Sequence, residues 1–428
     1  MFHSRSLCRL SSAAFISLLA FPGWAQPALT LPEAQRIALS RSQQLVAQDA
    51  AAKGLRELQA AAGRLPDPVL KLGIDNLPLN GPDRLSLTRD FMTMRRIGVV
   101  QELPRAEKRQ LKVERLQRDS QRVLAERELA VATLRRETAL AWIERHYALA
   151  QLELLRQQAQ ETRLQIQGAE IAFKSGRGSQ ADFFGARAAL AMLQDKQLQT
   201  ERQVQRAALM LARWIGPDAA AQPASGPIPW QESAQAQHLS ADHLQRLPQL
   251  GVLAAQVQAA ETEVRQAEAN TRADWTVEAT YSQRGPTYSN MVSVGVSIPL
   301  QLDRANRQDR ETAAKVAALS ESRATFEEAL RTHEAELRVL LNDWSAGKDR
   351  VAMLTAHLLP AARQRTEAAL TTYRSGKSEL GAVLTARRDE VDARLQLLAL
   401  EMETARLWAQ LNYLTADADP PVNAKELP

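Results

Sequence analysis

The chain has 428 residues, enough for two or three ordinary domains, with 45% hydrophobic, 24% charged and only 5% aromatic residues; that balance excludes a disordered chain and favours long helices over a compact core. Its 54 basic and 49 acidic residues leave a formal net charge of +5, too thin an excess to point to nucleic acid. The single cysteine is Cys8, so a chain processed beyond it has neither disulfides nor thiolate metal sites.

Residues 1–25 read as a cleaved signal peptide. Arg5 and Arg9 form a basic region, "LSSAAFISLLAF" an apolar one, and Gly23 and Ala25 the small positions before a cut between Ala25 and Gln26. The apolar run is short of the roughly 20 residues of a membrane helix, and Cys8 precedes it, so the leader is not that of a lipoprotein. Loss of Arg5 and Arg9 lowers the net charge from +5 to +3.

A first repeat is expected over 26–216. It opens with a helix over 30–63, followed by a β-hairpin at about 68–104. Leu70, Leu72 and Ile74 alternate with Lys71, Gly73 and Asp75; the returning strand, 92–103, carries Ile97 and Val99 on one face, but Arg95 and Arg96 blur the pattern. No proline falls between Pro104 and Pro217, so 105–173 reads as one helix on the order of 100 Å long. Leu134, Ala141, Ala148 and Leu155 recur at coiled-coil spacing. A tip at about 174–182, "KSGRGSQAD", leads to a return helix over 179–215 that stops at Gly216 and Pro217.

After a connector at 217–239 the plan recurs over 240–416, ahead of a tail at 417–428. A helix over 240–272 precedes a hairpin at about 274–300, in which Trp275, Val277, Ala279 and Tyr281 alternate with polar residues, as do Val292, Val294, Val296, Ile298 and Leu300. Strands of about ten residues with that alternation suit a transmembrane β-strand, one face to lipid and one to a wet lumen. A helix over 303–373, interrupted near Gly347 and marked by Pro360, then a tip at about 374–382 and a return helix to 415 complete the repeat. At an offset of 200, Ser175 and Gly176 match Ser375 and Gly376, and Ala186 and Arg187 match Ala386 and Arg387. Four strands cannot close a barrel, and an open edge cannot stand in lipid; the strands therefore imply an oligomer, and three copies would give twelve.

The duplication, the tips "FKSGRGSQADFFGAR" and "YRSGKSELGAVLTARRDE", and the hairpin before each long helix resemble the TolC-like outer-membrane efflux proteins over nearly the whole chain after the leader. The stretches "LPDPVLKLGIDNLPL" and "IGVVQELPRAEKRQ" resemble its heavy-metal branch, which serves cobalt–zinc–cadmium and copper–silver exporters. The resemblance implies a mainly α fold with a small β part, a homotrimer with a 12-strand outer-membrane β-barrel in lipid, and a long periplasmic α-helical barrel. It also implies a periplasmic adaptor and an inner-membrane pump of the resistance–nodulation–division type as partners. Ducts for drugs or for type I protein secretion are alternatives within the family; a periplasmic coiled-coil scaffold without a pore is the alternative outside it.

Gly176 and Gly376 supply the positive φ that each tip reversal demands. The family's tip carboxylate, which narrows the pore, corresponds to Asp182, a residue that reads equally as a helix N-terminal carboxylate. The second tip departs from the family pattern, with Ala382, Thr385 and Ser378 at the familiar positions; Lys377 and Glu379 are the charges left there. Arg177 and Lys377 are candidate adaptor-docking residues. No catalytic motif and no cofactor-binding motif is found, so an enzyme is not expected. His146, His238, His243, His333 and His357 are scattered, and Met92, Met94 and Met291 show no cage spacing.

Overall fold

The computed structural model describes residues 28–176, 178–232 and 247–414. The leader, Arg177, His238, His243 and the tail lie outside the described residues.

Two helices open the chain, α1 (Leu31–Arg41) and α2 (Gln43–Ala62). The single helix expected over 30–63 is divided at Ser42, whose extended backbone (φ −70°, ψ 108°) ends α1 and whose hydroxyl accepts from the Leu45 amide to start α2. Strands β1 (Val69–Asp75) and β2 (Met94–Leu103) follow, then α3 (Ala106–Lys174), α4 (Gln180–Ile215) and the short α5 (Pro217–Ala221). The second repeat contributes α6 (Pro248–Asn270), β3 (Trp275–Gln283), β4 (Met291–Ser297), α7 (Gln308–Met353), α8 (Leu359–Arg374) and α9 (Leu380–Asn412).

At ~1.5 Å per residue α3 is about 100 Å long. Leu134, Ala141, Ala148, Leu155, Thr162 and Ala169 are buried at every seventh position, and Thr138, Arg145, Leu152 and Ala159 fill the positions between them. The alternating steps of four and three make a coiled-coil seam, along which α4, α6 and α9 pack against α3. In α7 the buried residues Leu337, Trp344 and Val351 repeat at the same interval.

Gly347 does not interrupt α7. A Cβ there would lie 2.6 Å from the Thr404 hydroxyl of α9, so the glycine allows close helix–helix approach. The disturbance falls instead at Leu354–Leu358, a π turn in which the Leu359 amide donates to the Leu354 carbonyl. Pro360, just beyond, has no N–H to donate and its ring crowds the preceding turn; the widened turn accommodates both effects.

The main core sits at the waist of the helical body, where Trp142, Trp344, Trp408, Leu211 and Tyr413 are buried together. Three indoles bind this layer to segments that cross it: Trp142 donates to the Leu29 carbonyl at 3.0 Å, Trp344 to that of Trp230 at 2.8 Å and Trp408 to that of Glu232 at 2.9 Å. Leu29 in turn pairs with the connector through backbone bonds to Pro223 and Ser225. The two repeats are thus tied at mid-height by the N-terminal segment and the connector, whose backbone groups gain buried partners in exchange for water.

The repeats diverge here. Glu201 pairs with Arg156 at 3.2 Å on an exposed face. Its counterpart Glu401 lies against the waist, where burial pushes its carboxyl above the ordinary range. Burial, and then the Glu401 charge, push the Tyr147 phenol up in turn.

Two outcomes follow from this packing. Gly347→Leu lowers the urea unfolding midpoint by an amount corresponding to about 1–3 kcal/mol, the usual cost of overpacking. A carboxyl with a raised folded pKa lowers stability once pH exceeds that pKa and ceases to do so below the unfolded value. Glu401→Gln therefore unfolds at higher urea than the parent at pH 7 and above, and the gap closes as the pH approaches 4.5, the ordinary value for Glu.

Candidate functional site

The strands form one antiparallel sheet in the order β1-β2-β3-β4. β2 and β3, from different repeats, pair from Arg95↔Gln283 to Leu103↔Trp275, so the two hairpins of the chain make a single surface. At its base the Asp274 carboxylate accepts from the Arg105 amide at 3.0 Å and pairs with Lys108 at 2.7 Å, fixing the start of β3 to the start of α3.

The sheet reverses the burial order of a soluble protein. Leu70, Leu72, Ile74, Ile97, Val99, Trp275, Tyr281, Val292, Val294 and Val296 share one face and are exposed, Val292 and Val294 at 74%. On the opposite face Thr280 and Ser282 are buried at 7% and 6%. Val277 is half-buried on the apolar face. A polar face backed by an exposed apolar one has the pattern that suits a wall between lipid and water. On the polar face the Lys71 ammonium reaches across β2 to Glu278 at 3.1 Å, and Arg96 approaches Asp75 at 3.4 Å. Gly98 leaves room between them, since a Cβ there would meet the Thr280 hydroxyl at 2.8 Å.

Two sequence-level expectations are corrected. β4 ends at Ser297, seven residues long, leaving Ile298 and Leu300 outside it, because Pro299 cannot donate to a ladder. Arg95 and Arg96 do not blur the pattern. Alternation sends Arg96 to the polar face, where it meets Asp75, and Arg95 to the face of Ile97 and Val99.

The tips lie at the far end of the helical body. Gly176 and Gly376 take φ +74° and +73°. Their amides donate to Phe173 and Tyr373, three residues back, and the Ser175 and Ser375 hydroxyls cap Ala172 and Thr372. Both chain reversals are therefore left-handed helix caps of one design. Ala169, Ala186, Leu380 and Val383 form a small core joining the two hairpins there.

The capping of the return helices differs. Ser179 caps α4, accepting from the Asp182 amide at 3.0 Å. Glu379 precedes α9 without a side-chain cap, and the Ser378 hydroxyl is buried without a partner. Asp182 supplies what is missing: its Oδ1 accepts from the Gly381 amide at 3.2 Å, so the first tip caps the return helix of the second. Lys377 and Glu379 are exposed, and Arg177 is outside the described residues. Further from the tips, Arg387 pairs with Glu161 at 3.1 Å and Lys196 with Asp392 at 2.7 Å, both between hairpins. That Asp182 would reach the other tip is not legible in a sequence, although the poor capping residues around Glu379 are a signal that a partner is needed.

Among the described residues no helix is long and apolar enough to cross a membrane, and no cluster of metal-ligating residues is formed.

Residues 239–416 match the profile of the family described as outer membrane efflux protein. Its members are transport ducts, not enzymes, and are the outer-membrane components of tripartite efflux systems. The fold is shared with solved channels. VceC from Vibrio cholerae aligns at 19% identity over 90% of this chain and 95% of its own, with a TM-score of 0.73. A membrane protein from Pseudomonas aeruginosa aligns at 17% over 90% and 89%, with a TM-score of 0.75. CusC aligns at 15% over 93% and 95%, with a TM-score of 0.73. No curated protein sequence matches the chain.

Removing the reciprocal cap loosens the tip of the second repeat. Asp182→Ala is expected to speed hydrogen exchange at the Gly381 amide by about fivefold, as loss of ~1 kcal/mol of capping implies, while the Leu211 amide at the waist is unchanged.

Proposed function

We propose that the chain is the exit duct of a tripartite efflux assembly, built as a homotrimer whose sheets close a twelve-strand barrel in the outer membrane and whose helices close a tube below it. The observation that carries this reading is the sheet: an exposed apolar face, a charged and hydroxyl-bearing opposite face, and ladder bonds on one side only for β1 and β4 among the described residues. A soluble scaffold has no use for such a surface, which in water is an aggregation hazard. Export would proceed through the leader at residues 1–25, without lipidation.

The proposed cargo is heavy-metal cations, supported by the stretches at 65–79 and 97–110 that resemble the metal branch of the family. The duct itself has no need of a tight metal site, because tight binding slows passage. Gly176, Asp182, Gly376 and Glu379 line the proposed periplasmic mouth; Arg177 and Lys377, beside the glycines, are the proposed docking cations for the adaptor that connects the duct to an inner-membrane resistance–nodulation–division pump.

Unheated, the protein from outer-membrane fractions is expected to migrate as a trimer and to collapse to a monomer on boiling, and planar bilayers are expected to show unit conductance steps. A stable soluble monomer that forms no pore removes the duct reading. Deletion of the gene is expected to lower tolerance to at least one of zinc, cobalt, cadmium, copper and silver; loss of tolerance to organic toxicants alone would transfer the cargo to drugs.

A further inference from the structure

We infer that the turn end of the sheet binds an anionic phosphorylated lipid headgroup of the outer leaflet, with Arg95 as its principal contact. The inference rests on the barrel reading above. The strands join the helical body at one end, so their turns emerge at the other, in the leaflet remote from the periplasm.

Charge at that end is unbalanced. The turns and strand ends carry Arg84, Arg89, Arg95, Arg96 and Arg284 against Asp75, Asp83 and Asp90. All three carboxylates are engaged: Asp75 faces Arg96 at 3.4 Å, Asp83 faces Arg89 at 3.7 Å, and Asp90 accepts from the Met92 and Thr93 amides at 2.9 and 3.0 Å. Arg284 donates to the Phe91 carbonyl and lies over the Tyr288 ring. Among the described residues the Arg95 guanidinium has no hydrogen bond or ion pair; its Nε, like that of Arg96, is shielded from solvent without a partner.

Position makes that free charge meaningful. Arg95 shares the lipid-facing side with Ile97 and Val99 and stands one rung beyond the Ile97↔Tyr281 pair, opposite Gln283. An arginine costs little at the membrane interface and far more at mid-membrane. Tyr281, whose hydroxyl accepts from Asn290 at 2.8 Å, is the kind of residue that marks that interface. A planar guanidinium with free donors, set at headgroup depth beside an aromatic ring, fits a phosphate in two-pronged geometry. Arg96, one residue on, faces the lumen and is already paired, so the same stretch of β2 contains its own control.

The test uses the full mature chain in nanodiscs of phosphatidylcholine carrying graded amounts of lipid A, a bis-phosphorylated glycolipid, or its dephosphorylated form, with bound lipid counted by native mass spectrometry. The parent is expected to retain lipid A and not the dephosphorylated lipid, and millimolar inorganic phosphate is expected not to displace it. Arg95→Gln should weaken retention about fivefold, the effect of ~1 kcal/mol per interfacial cation; Arg95→Lys should weaken it less, and Arg96→Gln should leave it at the parental level. Equal retention by Arg95→Gln and the parent, equal losses in Arg95→Gln and Arg96→Gln, or displacement by inorganic phosphate each overturns the inference. Insertion of every variant without headgroup discrimination overturns it while leaving the barrel intact, whereas failure of the parent to insert removes the barrel reading as well.

Discussion

The governing constraint is the fate of backbone hydrogen bonds at the two ends of one four-stranded sheet. In water an unpaired strand edge is solvated at little cost; in hydrocarbon each unsatisfied N–H or C=O costs several kcal/mol. This sheet carries its apolar side chains outward and its polar ones inward, so the surface that wants lipid belongs to the element whose edges lipid will not tolerate. Closure against sister sheets, as proposed above, is the arrangement that would resolve the conflict. In that arrangement the long helices have a role as well, holding each chain in register below the sheet.

That register is set at the waist rather than at the sheet. The Trp142, Trp344 and Trp408 indoles each donate to a carbonyl of the N-terminal segment or the connector, so the two segments that join or precede the repeats become straps across them. Above the waist, Asp274 ties the strand base to α3; below it, α3 and α4 descend along a seam that mixes small residues with leucines. The duplication supplies two similar walls, and the straps decide how they sit side by side.

Much of this was legible in the sequence because it rests on period. A seven-residue spacing gave α3 its seam, an alternation of two gave the strands their faces, and a Ser and Gly pair at an offset of 200 gave the tips. What was not legible depends on partners distant in the chain. Gly347 looked like a break until Thr404 came to rest against it, and Ser42 divides a helix that composition alone would run through. Arg95 and Arg96 looked like noise because a sequence does not state which of two neighbouring charges has an Asp75 across the ladder. Asp182 was recognised as a helix-terminal carboxylate, yet the helix it caps begins about 200 residues later.

These contacts also grade the stiffness of the molecule along its length. The waist buries aromatic side chains in a continuous core, which resists opening as a unit. The tips are joined by a small cluster around Val383, one carboxylate-to-amide bond and surface ion pairs such as Lys196 with Asp392, and exposed pairs of that kind contribute at most ~1 kcal/mol each. Between the two regions stands the π turn before Pro360, where a helix already lacks one regular bond. A lateral load at the tips therefore meets weak joints first, then a point of reduced bending resistance, and only then the core. Movement of the second hairpin about Leu354–Leu358 disturbs only the small cluster of Val351, Leu354 and Leu400, whereas movement at the waist would expose three tryptophans together; the fold places its compliance at the end remote from the sheet.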